Sequence, residues 1–300
     1  LDSSMKVVCF KGRSNPNEIE VGLLDQGLIK VLDLSPEQAQ EGLLAIIDLQ
    51  AQGMALPAVK AEVAANKVQL MAPIPQPRRN VFCVGLNYKP HAKEFTKSGF
   101  DAGKSTGAGD LPSDPIVFSK VPETVVGPFD PVRLPKAEVS TSIDYEAELA
   151  VIIGQRCKNV RPEDAMKMVW GYTIVNDVTA RDWQHRHKQW HMGKSFDDFC
   201  PMGPAAVSAD SINGQDLAIQ CWINGELRQD SRTSELIFDI PTLIATLSAG
   251  ITLQPGDIIA TGTPVGVGIG FTPPKFLQAG DVVKVAIEGI GEIENKFVAA

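Results

Sequence analysis

The chain has 300 residues, a length that suits one large domain or two smaller ones around a sizeable core. Hydrophobic residues make up 44%, charged residues 21%, and the formal net charge is −8 with no long basic run, so nucleic acid is not an expected partner. No apolar run reaches the roughly 18 residues of a membrane span, so no membrane association is expected either.

Five scattered cysteines, Cys9, Cys83, Cys157, Cys200 and Cys221, form no C-x-x-C pair. They suit reduced thiols better than a disulfide framework or a thiolate zinc site, and predict a cytoplasmic location. Leu1–Ser4, ahead of Met5, reads as an appended segment rather than a targeting signal.

Met5–Phe10 predicts a strand. Glu18–Leu24 and Leu28–Leu34 flank Asp25-Gln26-Gly27 and predict a hairpin. Ser35-Pro36-Glu37-Gln38 predicts a helix start, with a serine cap, proline at the first helical position and glutamine completing a capping box. Leu43, Ile46, Ile47 and Gln50 continue the helical spacing to Gly53. A weaker helix is expected over Ala58–Ala65. Pro73, Pro75 and Pro77 form a stiff connector that sets a boundary near residue 78, between a small α+β domain over 1–78 and a β-rich unit over 79–300.

Asn80–Val84 predicts a short strand, broken by Gly85-Leu86-Asn87-Tyr88. Lys93–Asp114 is long, polar and glycine-rich, the composition of a lid or a disordered loop. Strands are expected at Ile116–Ser119, within Ser142–Gly154 and at Tyr172–Val175, with a helix from Pro162 to about Val169. Asn224-Gly225 joins Ile219–Ile223 to Leu227 as a hairpin. Pro241–Ser248 predicts a helix closed by Gly250. Further strands are expected at Asp257–Ala260, Asp281–Glu288 and Glu292–Phe297. Strands outnumber helices after residue 79 without βαβ alternation, which predicts an α+β fold with a mixed or largely antiparallel sheet.

Ser142–Gly154 carries the first chemical signal. Ile143, Tyr145, Ala147 and Leu149 fall on one strand face, and Asp144, Glu146 and Glu148 on the other. The chain then turns almost wholly apolar, so Glu146 and Glu148 point the same way at the mouth of a core. A bare E-x-E is otherwise a solvated strand face. At a core it is a repelling pair that a hard divalent cation would relieve. Asp177, directly after the strand Tyr172–Val175, can complete such an oxygen site for Mg²⁺ or Mn²⁺. His91 and Glu94 share a face if Pro90 opens a helix, and a carboxylate beside an imidazole makes a water-activating base. Lys194, in Gly193-Lys194-Ser195-Phe196-Asp197, is a candidate for stabilising a developing oxyanion.

Two further patterns are set aside. GFDAGKS at Gly99–Ser105 has the wrong glycine spacing for a phosphate loop, and no strand leads into it. His185, His187 and His191 are interleaved with Arg186 and Lys188 and lack a supporting H-E-x-x-H or cysteine.

H-x-x-E, then D-Y-E-x-E-L, N-D-x-T-A-R-D-x-Q, K-S-F-D and finally Thr261-Gly262-Thr263-Pro264-Val265-Gly266-Val267-Gly268 occur in one order. From about residue 79 onward this resembles the fumarylacetoacetate hydrolase family. The resemblance implies that family's mixed β-sheet roll with a smaller N-terminal domain. It implies Glu146, Glu148 and Asp177 as metal carboxylates, His91 and Glu94 as a lid dyad and Lys194 as the site lysine. Gln184 and Thr263 match positions that hold water or substrate. Mg²⁺ or Mn²⁺ and a homodimer are implied as well. Leu86 departs from the family at a place where certain members have arginine, and the Gly99–Asp110 stretch is longer than the common lid. The expected reaction is hydrolysis of a C–C bond in a small acylpyruvate or 1,3-diketo acid through a metal-stabilised enolate. Oxaloacetate-type decarboxylation and 2-hydroxy-dienoate isomerisation are the alternatives on the same site.

Overall fold

The structure is a computed structural model and describes residues 4–12, 15–89 and 111–300. The N-terminal strands are β1 (Lys6–Gly12), β2 (Asn15–Asp25), β3 (Leu28–Leu32), β4 (Val59–Ala64) and β5 (Val68–Met71). The middle of the chain adds β6 (Val81–Gly85), β7 (Ile116–Lys120), β8 (Val125–Val126), β9 (Val132–Arg133), β10 (Ile143–Asp144), β11 (Ala147–Ile153), β12 (Val169–Asn176) and β13 (Thr179–Ala180). The last third supplies β14 (Cys200–Ser208), β15 (Ala218–Ile223), β16 (Glu226–Arg232), β17 (Ile258–Ala260), β18 (Val282–Ile287) and β19 (Gly291–Val298). The fold is α+β.

One twelve-stranded sheet runs in the order β4-β3-β2-β1-β14-β12-β11-β17-β6-β7, with β5 on β1 and β8 on β14. A five-stranded sheet runs β16-β15-β18-β19-β9. Most pairs are antiparallel; β17 with β6, β8 with β14 and β9 with β19 are parallel. Strands from both sides of residue 78 therefore share one sheet, joined where Lys6 and Val7 face Val207 and Ala206.

Local signals act where expected. Gln26 and Gly27 both take positive φ in the first hairpin, as do Asn224 and Gly225 in the later one. Ser35 caps its helix reciprocally with Gln38. That helix is nevertheless two pieces, Pro36–Gln40 and Leu43–Ala51. Gly42 breaks it at φ 61°, and a Cβ there would lie 2.5 Å from the Pro73 carbonyl, which accepts the Leu43 N–H. The predicted helix over Ala58–Ala65 is strand β4 instead, paired along β3. Its weak helical propensity yields to an open sheet edge.

Strand β14 was hidden by Pro201 and Pro204, which argue against a central strand. Here Pro201 lies opposite the short β8, and Pro204 sits where the register with β12 shifts. The interior of the fold turns on β11, which is buried along its whole length. Leu149, Val151 and Ile153 enter a core shared with β12, β15 and β18. Ala150 and Ile152 enter a second core with Leu44, Ile46 and Ile47 of the N-terminal helix.

Close backbone approach fixes the β12–β14 pair at Gly171, where a Cβ would fall 2.0 Å from the Val207 carbonyl oxygen. Gly171→Ala is expected to cost about 1–3 kcal/mol, the usual penalty of overpacking, and to lower Tm. A melting curve superimposable on the parent's would show that this approach does not constrain the sheet.

Candidate metal centre

The register of β11 against β12 assembles the acidic group. Ala147 faces Asn176 and Glu148 faces Val175, so Asp177 emerges beside Glu146 as β12 ends. The Asp177 N–H donates to the Glu146 carbonyl at 2.8 Å, and Asn176 Oδ1 accepts the Glu146 N–H at 3.0 Å. One carboxylate oxygen each from Glu146, Glu148 and Asp177 lies within 4.8 Å of the others, and all three residues are buried. The predicted single strand is interrupted at Tyr145 and Glu146, which separate β10 from β11.

Asp144 shares the acidic alternation but faces different partners. Its carboxylate accepts N–H groups from Gly268 at 2.6 Å and Ile269 at 3.0 Å, and the Arg181 Nε–H at 2.9 Å. It thereby anchors the Thr261–Gly268 loop. Arg181 also reaches Glu146 at 2.8 Å through Nη1 and donates to Gln184 Oε1 at 3.2 Å. Lys194 Nζ lies 2.8 Å from Glu146 Oε2 and 2.8 Å from Asp177 Oδ2. Lys120 Nζ lies 2.7 Å from Asp177 Oδ1. Among the described residues, four carboxylates and three cations thus share one buried site, where an unpaired charge is costly.

Glu148 is the exception. Among the described residues it has no cation of its own, and its Oε2 accepts only the Gly262 N–H at 2.8 Å. Burial, reinforced by the charges of Asp177 and Glu146, pushes its carboxyl well above the usual range. Burial alone would lower the Lys194 ammonium. Asp177 and Glu146 outweigh that effect and hold it above its usual value, so it stays charged. Three hard oxygen donors, one of them short of positive charge, fit a hard divalent cation.

Gln184 and Thr263 line the adjoining cleft with Leu86, Trp190, Glu146 and Lys194. Gln229 holds Thr263 by donating to its Oγ1 at 2.8 Å, while accepting the Ala147 N–H at 3.1 Å. Gly85 is required because a Cβ would stand 2.1 Å from the Trp190 ring. The three clustered histidines do not converge on a metal-type group among the described residues. His191 Nδ1 sits 2.9 Å from the Ser119 carbonyl, and the His187 ring packs 5.0 Å from Trp183. His91, Glu94 and the Gly99–Ser105 pattern lie outside the described residues. Sequence reasoning missed Lys120 and Gln229, and placed Asp144 on the acidic strand face without giving it a role. Arg181 stood inside the N-D-x-T-A-R pattern without a role.

Comparison with known proteins identifies relatives along most of the chain. The family pattern described as "Fumarylacetoacetate (FAA) hydrolase C-terminal" matches residues 80–298. The chain is similar to the oxaloacetate tautomerase YisK of Bacillus subtilis, 51% identical over 77% of this chain and 74% of that protein. It is 40% identical to the mitochondrial oxaloacetate tautomerase fahd2 of Xenopus laevis, over 98% of this chain and 91% of that one. Among solved structures, the fumarylacetoacetate hydrolase of Exiguobacterium antarcticum superposes with a TM-score of 0.82 at 39% identity, covering 99% of this chain and 100% of that one.

The raised Glu148 carboxyl has a definite sign for stability. It costs nothing below the unfolded value of about 4.3 and progressively more as pH rises toward its folded value. Freed of divalent ions, Glu148→Gln is therefore expected to be more stable than the parent at pH 7.5, read as a higher Tm. The gain should shrink toward pH 5. Paired melts at the two pH values decide this, and a variant less stable at pH 7.5 refutes it.

Proposed function

The chain belongs to the fumarylacetoacetate hydrolase family, and from that premise we propose that it is a divalent-metal-dependent enzyme interconverting the enol and keto forms of a small 2-oxo acid of the oxaloacetate type. The convergence of Glu146, Glu148 and Asp177 beside the buried Lys194 carries this reading. Relatives named as oxaloacetate tautomerases move the weight from C–C hydrolysis to proton transfer.

Glu146, Glu148 and Asp177 would hold Mg²⁺ or Mn²⁺, which when bound polarises the carboxylate and 2-oxo oxygens of the substrate. Lys194 places a fixed ammonium charge where enolate charge develops, worth a few kcal/mol in a water-poor site. Gln184 and Thr263 orient the substrate from the cleft wall. His91, aligned by Glu94, takes the enol proton and returns a proton to C3: the O–H bond breaks, a C–H bond forms, the C2–C3 double bond becomes single as the C2–O bond becomes double, and no C–C bond is cleaved. A homodimer in a reducing compartment, the cytosol, completes the proposal; the five free, buried cysteines support the compartment.

Hydrolysis of an acylpyruvate such as fumarylpyruvate is the second reading, favoured by the Exiguobacterium relative, which is named a fumarylacetoacetate hydrolase. It uses the same enolate, with His91 activating water instead. Loss of CO₂ from oxaloacetate would generate it too.

Side-by-side assays separate these reactions. With Mg²⁺ or Mn²⁺, decay of the oxaloacetate enol absorbance is expected to outpace both CO₂ release and acylpyruvate cleavage. A chelator should abolish it, and Glu146→Gln or His91→Ala should lower it by about 10² or more. Acylpyruvate cleavage as the fastest activity would overturn the tautomerase reading. Parent-like rates in both variants would overturn the site itself.

A further inference from the structure

Lys120 has no role in the reading above. It ends β7, its side chain is 1% exposed, and its ammonium donates to Asp177 Oδ1 at 2.7 Å and to the Val178 carbonyl at 3.0 Å. Burying an ammonium costs several kcal/mol unless it is paired and hydrogen-bonded, and a packed apolar side chain would serve stability as well. The position of the charge is therefore informative. Asp177 Oδ2 meets Lys194 at 2.8 Å, so two ammonium groups hold the two oxygens of one carboxylate and fix its plane.

The same strand grips the other arm of the site. The Phe118 ring faces Lys194 Nζ at 4.8 Å and the Trp190 ring at 5.3 Å. Ser119 meets His191 Nδ1 through its carbonyl at 2.9 Å, and the Val121 N–H donates to Ser195 Oγ at 3.3 Å. Residues 118–121 thus tie Asp177 and the Lys194 turn to a single frame.

We propose that Lys120 is a positioning residue: its ammonium sets the Asp177 carboxylate so that Oδ2 is presented to the cluster with Glu146 and Glu148, and it thereby sets the affinity for a divalent cation. The inference rests on Asp177 being a cation ligand. Groups that orient metal ligands typically change metal affinity by about 10–100-fold when removed.

Mn²⁺ titration of the purified full chain, read from the electron paramagnetic resonance of free Mn²⁺, tests this without an activity assay. Asp177→Asn is expected to abolish binding, and Lys120→Met to weaken it about 10-fold. Lys120→Gln, which keeps an N–H donor without the charge, should bind more tightly than Lys120→Met. If Asp177→Asn binds like the parent, the ligand assignment fails. If Asp177→Asn loses binding while Lys120→Met matches the parent, Lys120 is only structural and the proposal fails alone. Tighter binding by Lys120→Met would also overturn it, since Lys120 would then act only as a competing charge. Should Lys120→Met not fold, Lys120→Gln decides: weaker binding than the parent supports the proposal, and equal or tighter binding overturns it.

Discussion

The site is governed by the cost of holding like charges out of water. Asp144, Glu146, Glu148 and Asp177 are all buried, and the sheet brings three of them within a few ångströms. Such an arrangement is costly wherever a charge goes unanswered. Arg181 answers Asp144 and Glu146, Lys194 answers Glu146 and Asp177, and Lys120 answers Asp177 again. Every one of these cations comes from a different segment. The fold around the site is therefore also an electrostatic agreement among β7, the helix Arg181–Arg186 and the turn His191–Lys194.

Glu148 is left out of that agreement, and its exclusion makes the site receptive. A carboxyl raised by burial and by two neighbouring charges is an unsatisfied demand for positive charge. A fourth basic side chain, placed on Glu148, would stabilise the fold and close the site to a cation. The strain sits on β11, which is packed on both faces and held by β12 and β17. A rigid strand of that kind can carry local electrostatic cost at a functional site, a common exchange of stability for activity.

What the sequence made legible was local. The Asn224-Gly225 turn and the Ser35 cap depend on neighbouring residues alone, and both are present in the structure. The alternation of Glu146 and Glu148 was visible because strand geometry has a period of two. The burial of both strand faces was not, because it depends on a second core supplied by the N-terminal helix. Lys120 was invisible for the same reason: a lysine ending an edge strand is an ordinary guard against strand pairing. Only the tertiary placement of Asp177 gives it another meaning. Asp144 shows the converse, since it shares the period of the acidic pair but is drawn away by Arg181 and the Gly268 and Ile269 N–H groups.

Under the proposed reading, charge balance also bears on why relatives are named for different reactions. Among the described residues, the four acids, when ionised, exceed the three buried cations by one charge. The proposed divalent cation reverses that sign, leaving a cleft that favours an anion. A reaction that gathers negative charge on the substrate oxygens is favoured more than one that only binds an anion, because transition-state charge is then met by groups already in place. Tautomerisation, decarboxylation and C–C cleavage all pass through such an enolate. In the proposed reading the charged cluster favours that common step, and the choice among outcomes would fall to the groups that deliver a proton or a water and to the cleft wall formed by Leu86, Gln184, Trp190 and Thr263.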